Sequence, residues 1–172
     1  AFATALDTST DKHGFVFQAP AAITITRLGI RVHTITGTSP EYRISLQGIN
    51  TSGMPDGTIK GGGSPASANF DPAVLGWAAG DWRWITLDNS YVCTQGENLA
   101  LVVDYVSKTI NASNNINLTL HANSTISLAF PCGRIDTGAW AKTAAHSQPV
   151  FGIGSSTAVF GFPVKNSGTT TF

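Results

Sequence analysis

Charge is scarce in this chain. Of 172 residues ten are basic and ten acidic, 12% in all, and the formal net charge at neutral pH is zero. The Lys and Arg residues are scattered from Lys12 to Lys165 without a cluster. Non-specific nucleic-acid binding therefore lacks its electrostatic drive, and nucleic acid is not expected as a partner. Cysteine is nearly absent: Cys93 and Cys132 are the only two, which excludes a disulfide mesh. Both stand near expected strand ends, so one bridge between them in an oxidising compartment and two buried free thiols are both open readings. No apolar run reaches the roughly 20 residues that span a bilayer, and residues 1–7 carry neither a basic leader nor an apolar signal core. Membrane insertion is not expected. The chain begins at Ala1 without a Met and closes on residues 168–172 without an obvious closing element, which reads as a processed chain or a piece of a longer one.

Compact catalytic motifs are missing as well. The dinucleotide and P-loop glycine patterns are absent, and Gly61-Gly62-Gly63 precedes no βα unit, so it reads as a turn. Gly152-Ile153-Gly154-Ser155-Ser156 is offset from a nucleophile elbow. His13, His33, His121, His146 and the two cysteines show no zinc-ligand spacing. Glu41 and Glu97, the best glycosidase candidates, stand at a strand entrance and in a turn, where solvated edge charge is the plainer reading. Asp81, Asp88, Asp104 and Asp136 leave calcium as the one cofactor still open, although no twelve-residue calcium loop is present. The expectation is a protein without enzymatic activity.

What the chain does have is strand periodicity. Residues 42–47, 82–87, 116–121 and 125–130 alternate apolar with polar or small residues, as strands with one covered and one wet face do. With 42% hydrophobic residues, 172 residues can bury one sizeable core. The expected architecture is all-β: a single antiparallel two-sheet sandwich over residues 1–172, a jelly roll before an immunoglobulin-like packing. Residues 14–18 read as a first strand, and residues 23–35 as a longer one. In the longer strand the inward parity switches near Thr26-Arg27, which predicts a bulge. Residues 50–58 are rich in turn formers and predict a tight loop. Residues 61–80 read as a long connection with one helical turn at 72–75. Residues 98–106 are apolar on both parities and predict a central strand. Residues 116–121 and 125–130 are close enough for a hairpin. Residues 151–153 and 158–164 supply the last strands.

The binding candidates are aromatic. Sugar rings stack on exposed aromatic faces beside polar loop groups, so Trp77 and Trp140, both in loop-like contexts, are candidate contacts for a glycan or a protein partner, with Asn89 and Asp136 as polar companions. Trp82 and Trp84 share one face of their strand. They are expected in the core, with Arg83 near the edge. The alternative is a surface platform opposite a face that Ile85 and Leu87 bury.

Residues 23–104 resemble β-sandwich domains of tailed-phage virion proteins and related surface modules. The resemblance rests on Ile30-Arg31-Val32, residues 42–47, the turn Ser52-Gly53-Met54-Pro55-Asp56-Gly57-Thr58, residues 84–87 and residues 99–103. It covers about half the chain, and the Gly-x-Pro-Asp-Gly-Thr turn is its most distinctive part. It implies a jelly-roll module that decorates capsids or builds fibres and appendages, or that binds surface glycans as an adhesin module. It also implies a virion or extracellular location, with other virion proteins or copies of the same chain as partners. It carries no catalytic residues.

Overall fold

The computed structural model describes residues 2–38, 40–122, 129–134, 139–142, 147–149, 151–156 and 159–161. In chain order the strands are β1 (Phe2–Leu6), β2 (Lys12–Gln18), β3 (Ile23–Thr36), β4 (Glu41–Ile49), β5 (Pro55–Ile59), β6 (Ser67–Phe70) and β7 (Trp82–Cys93). They continue with β8 (Asn98–Ser107), β9 (Asn115–Ala122), β10 (Ala129–Arg134), β11 (Ala141–Lys142), β12 (Ser147–Pro149), β13 (Phe151–Gly154) and β14 (Val159–Gly161). All pairings between them are antiparallel. The described residues contain no helix.

Two sheets form. In the first, β1, β9 and β3 run side by side, with β7 and β13 also on β3, β14 on β13 and β12 on β9. In the second, the order is β11-β10-β2-β8-β4, with β5 and β6 on β4. The pairs β1–β9, β2–β8, β3–β7 and β4–β6 are those of one long antiparallel ribbon, open at β1 and β9 and closed between β4 and β6. Wrapping that ribbon gives β1-β9-β3-β7 facing β2-β8-β4-β6. That is a jelly roll, and the expected sandwich is observed.

The alternation that marked the strands sets the core. Tyr42, Ile44 and Leu46 of β4, Leu99 and Leu101 of β8, Phe15 and Phe17 of β2, and Ile25, Leu28 and Ile30 of β3 are all buried in one cluster between the sheets. Phe15 of the second sheet stacks on Phe151 of the first at 5.3 Å. Strand β8 is central, as both of its faces predict: residues 99–104 are buried along its whole middle. The β3 bulge is present, for Ile25 pairs with Tyr91 but Arg27 with Thr86. Residues 87–90 of β7 therefore stand opposite Thr26 alone, and Ile25 and Leu28 both reach the core.

Three expectations change. The hairpin of residues 116–121 with 125–130 is replaced by strands in different sheets: β9 lies beside β1, β3 and β12, and β10 beside β2 and β11. Sheets in a sandwich lie about 10 Å apart, so β9 and β10 stand on opposite sides of that gap rather than side by side. Residues 125–128, 158 and 162–164, also read as strand, lie outside the described residues. The 61–80 connection contains β6, whose Ser67, Ala68 and Phe70 are buried against β4. The 50–58 turn is shorter than expected, since Pro55–Ile59 is strand β5.

Candidate functional site

An open concavity lies on the outer face of the second sheet. In an antiparallel pair, residues directly opposite each other point to the same side. Val16, Ala100 and Gln47 form one outward row, and Gly14, Val102 and Ser45 the next. A wet face would expose them, yet Val102 and Ala100 are fully buried and Val16 is 5% exposed. Ile49, Met54 and Trp140 cover them as a second small apolar cluster. Beside it, Lys12, Gln47, Asn50, Pro55, Asp56 and Trp140 line an open cleft of about 290 Å³.

The rim of this cleft is built by the turn that was the most distinctive stretch of the sequence. Asn50 Oδ1 accepts hydrogen bonds from the N–H groups of Ser52 and Met54, and Gly53 takes a positive φ of 75° that costs a glycine little. Asp56 Oδ1 accepts from the Thr58 N–H at 2.7 Å, an Asx turn that Gly57, at φ 85°, lets close. Gly48 has no side chain, and Asp56 Oδ2 sits 2.5 Å from where a Cβ would stand. The carboxylate is thus drawn back over β4. On the floor, Gln47 Nε2 donates to Ser45 Oγ at 3.0 Å, while the buried Gln47 Oε1 has no partner. Neighbouring Lys12 reaches the Asp104 carboxylate at 3.4 Å, and Arg43 holds the same carboxylate through Nη2 at 2.5 Å and Nε at 3.1 Å.

Trp140 therefore stands at a cleft, half-buried. Trp77 is elsewhere. It stacks on Phe70 at 5.2 Å with the Arg83 guanidinium 6.0 Å from its ring, and it anchors the 71–77 turn to the core. Asn89 lies on β7, where its Nδ2 donates to the Pro65 carbonyl. Asp136 lies outside the described residues. Gln47, Lys12 and Asp56 were not expected at a site. Gln47 carried no signal in the sequence, because a polar residue is what the outward positions of the alternating strand β4 hold throughout, as at Arg43 and Ser45.

The tryptophan pair of β7 is not in the core. Trp84 stands opposite Gly29 and Trp82 opposite Arg31, on the outer face of the first sheet, half-buried and edge-to-face at 5.5 Å. Ile85 and Leu87 take the inward positions, so the surface-platform alternative is the correct one. Gly29 explains why two indoles can lie so close to the sheet: a Cβ there would come within 2.6 Å of Trp82 and 3.0 Å of Trp84. The Arg27 guanidinium lies 5.0 Å from the Trp84 ring, a cation–π contact.

Cys93 is a buried free thiol, its sulfur directed at the carbonyls of Ile23 and Ala21 at 3.4 and 3.6 Å. The bridge to Cys132 is therefore not formed: Cys93 ends β7 in the first sheet, whereas Cys132 is on β10 in the second. The carboxylates serve the scaffold. Glu41 accepts from Ser107 Oγ, at one end of β8. Glu97 accepts from Tyr91 Oη at 2.7 Å and pairs with Lys60, at the other end, about 30 Å away along the strand at ~3.3 Å per residue. That separation is far beyond what paired glycosidase carboxylates use. Burial pushes the Glu97 carboxyl up, but the Tyr91 hydroxyl, Lys60 and the Thr94 N–H outweigh it and hold it below the usual range. Asp81 pairs with Arg83 and Asp104 with Arg43. Among the described residues no group of three or more metal-ligating side chains comes together.

Comparison with protein-family models, curated proteins and solved structures finds no match to this chain.

Proposed function

We propose that this chain is a non-enzymatic structural or decoration module of a virion-like particle, acting through protein–protein assembly. The observation that carries the proposal is an apolar knob on the 71–77 turn, where Val74 is 76% and Leu75 55% exposed. The knob is rigid. Asp71 Oδ1 caps the N–H groups of Ala73 and Val74, the Leu75 N–H donates to the Asp71 carbonyl and the Trp77 N–H to that of Pro72. The remaining Asp71 oxygen pairs with Lys108, itself held at a positive φ of 73° with its carbonyl accepting from Tyr105 Oη. Burial pushes the Asp71 carboxyl up, but Lys108 and the Val74 and Ala73 N–H groups more than offset this and keep it low. Two adjacent large apolar side chains pre-ordered at a tip lose little entropy on docking. The resemblance of residues 23–104 to phage virion sandwiches supports the same reading.

Light scattering of the full chain over a concentration series tests it. The expected result is a trimer or larger species that a Val74→Ser, Leu75→Ser double variant converts to monomer with unchanged circular dichroism. A wild-type chain that is monomeric at every concentration overturns self-assembly. The cleft beside Trp140 favours a second reading, recognition of surface glycans as an adhesin module. The two are compatible, because the knob and the cleft use different parts of the fold.

A further inference from the structure

We infer that the cleft between Trp140 and the 50–57 turn is a subsite for a neutral saccharide ring. The inference rests on the glycan-binding reading and adds the chemical class of ligand. Three features converge. The first is the unpartnered end of the Gln47 amide, on a residue 4% exposed at the cleft floor. A buried polar group without a partner costs about 1–3 kcal/mol and is uncommon in native folds. With Nε2 committed to Ser45, the free oxygen needs a donor. Turned over, the amide would instead leave its NH₂ needing an acceptor. A hydroxyl group answers either orientation, and a carboxylate or phosphate only the second.

The second feature is charge. Among the described wall residues the one ammonium, that of Lys12, is shared with the buried Asp104 carboxylate. The other charged wall residue is Asp56, drawn over Gly48. Among the described wall residues an anion entering here meets the Asp56 carboxylate and a Lys12 ammonium already shared with Asp104, so acidic sugars are disfavoured relative to neutral ones. The third is shape. Trp140 offers a half-buried indole against a polar rim of Asn50 and Asp56, and ligand pockets usually begin at about 300 Å³. A cleft of about 290 Å³ has room for a ring stacked on Trp140 with a hydroxyl directed at Gln47.

Saturation-transfer NMR on the full chain tests this with D-glucose, D-galactose, D-mannose and N-acetyl-D-glucosamine, against D-glucuronic acid and N-acetylneuraminic acid. Transfer to at least one neutral sugar is expected, with affinity reduced roughly tenfold or more in Trp140→Ala, in line with about 1.4 kcal/mol for a lost stacking contact. Gln47→Leu should weaken binding as well. Near-UV circular dichroism identifies a variant that has lost its fold, and either folded variant decides the question. Binding only of the acidic sugars, or neutral-sugar binding unchanged in a folded Trp140→Ala variant, overturns the inference while leaving glycan recognition standing. No binding to any of the six sugars or to a broad glycan array overturns both.

Discussion

Tyr42 and His13 show how single polar groups are priced inside this core. The Tyr42 hydroxyl donates to the Leu6 carbonyl and accepts from the Ile116 N–H, both at 3.1 Å. One phenol of the second sheet thereby satisfies the β1–β9 pair of the first. Burial pushes its pKa up, so it stays neutral. Tyr42→Phe removes both bonds and leaves two backbone groups short, at a cost of about 1–3 kcal/mol. We expect a fall in melting temperature of roughly 2–4 °C per kcal/mol, measured by calorimetry. His13 faces inward opposite Val103, edge-on to Phe15 at 5.3 Å. Burial lowers its pKa from 6.5 to about 4. The unfolded chain thus takes up a proton that the folded chain refuses. The contribution is fully present above pH 6.5 and is lost as pH falls toward 4, amounting to roughly 3 kcal/mol. Urea unfolding at pH 7 and pH 4.5 should show this loss, and His13→Leu should reduce it.

At the scale of elements, β3 does the most. Its first half, residues 23–31, pairs with β7, and its second half, residues 32–36, with β9, so one strand joins two strands of the opposite arm of the ribbon. The outer side of that junction is where the two indoles lie over Gly29. Gly29→Ala puts a methyl where the rings now pack, and either the indoles lift or β3 shifts. Overpacking of this kind costs about 1–3 kcal/mol. We expect lower stability together with a red-shifted tryptophan emission, because Trp82 and Trp84 gain solvent. Unchanged emission would mean that the rings do not rest on that glycine. The same strand shows what periodicity reveals. The parity switch at Thr26-Arg27 was readable because Ile25 and Leu28 must both be buried. The four residues of β7 opposite Thr26 were not, since nothing in residues 87–90 announces which partner they bulge from.

For the whole molecule, the wrapped ribbon distributes possible contacts. The 71–77 knob sits on the connection between β6 and β7, which leads from the second sheet to the first, and the Trp140 cleft sits on the outer face of the second sheet. A particle could be engaged through one while the other stays open, which makes the light-scattering and saccharide experiments independent. Of the candidate site, only Trp140 was legible in advance, as an aromatic in a loop. The turn at residues 50–58 was legible as a turn but not as a rim, and Gln47 not at all. A cleft is a relation between segments remote in sequence, here Lys12, the 47–57 stretch and Trp140.

Local chemistry determined the alternating strands β2, β3, β4, β7, β8 and β9, the β3 bulge, the centrality of β8 and the turn at Asn50, because alternation, backbone φ and side-chain capping act over a few residues. The tertiary structure decided which sheet each strand joins, the outward placement of Trp82 and Trp84, the free state of Cys93 and the orphaned end of Gln47. Periodicity says that a strand has two faces without saying which one meets the core. For Trp82 and Trp84 the decision came from Ile85 and Leu87, which fill the inner face, and from Gly29, which leaves room for two indoles on the other.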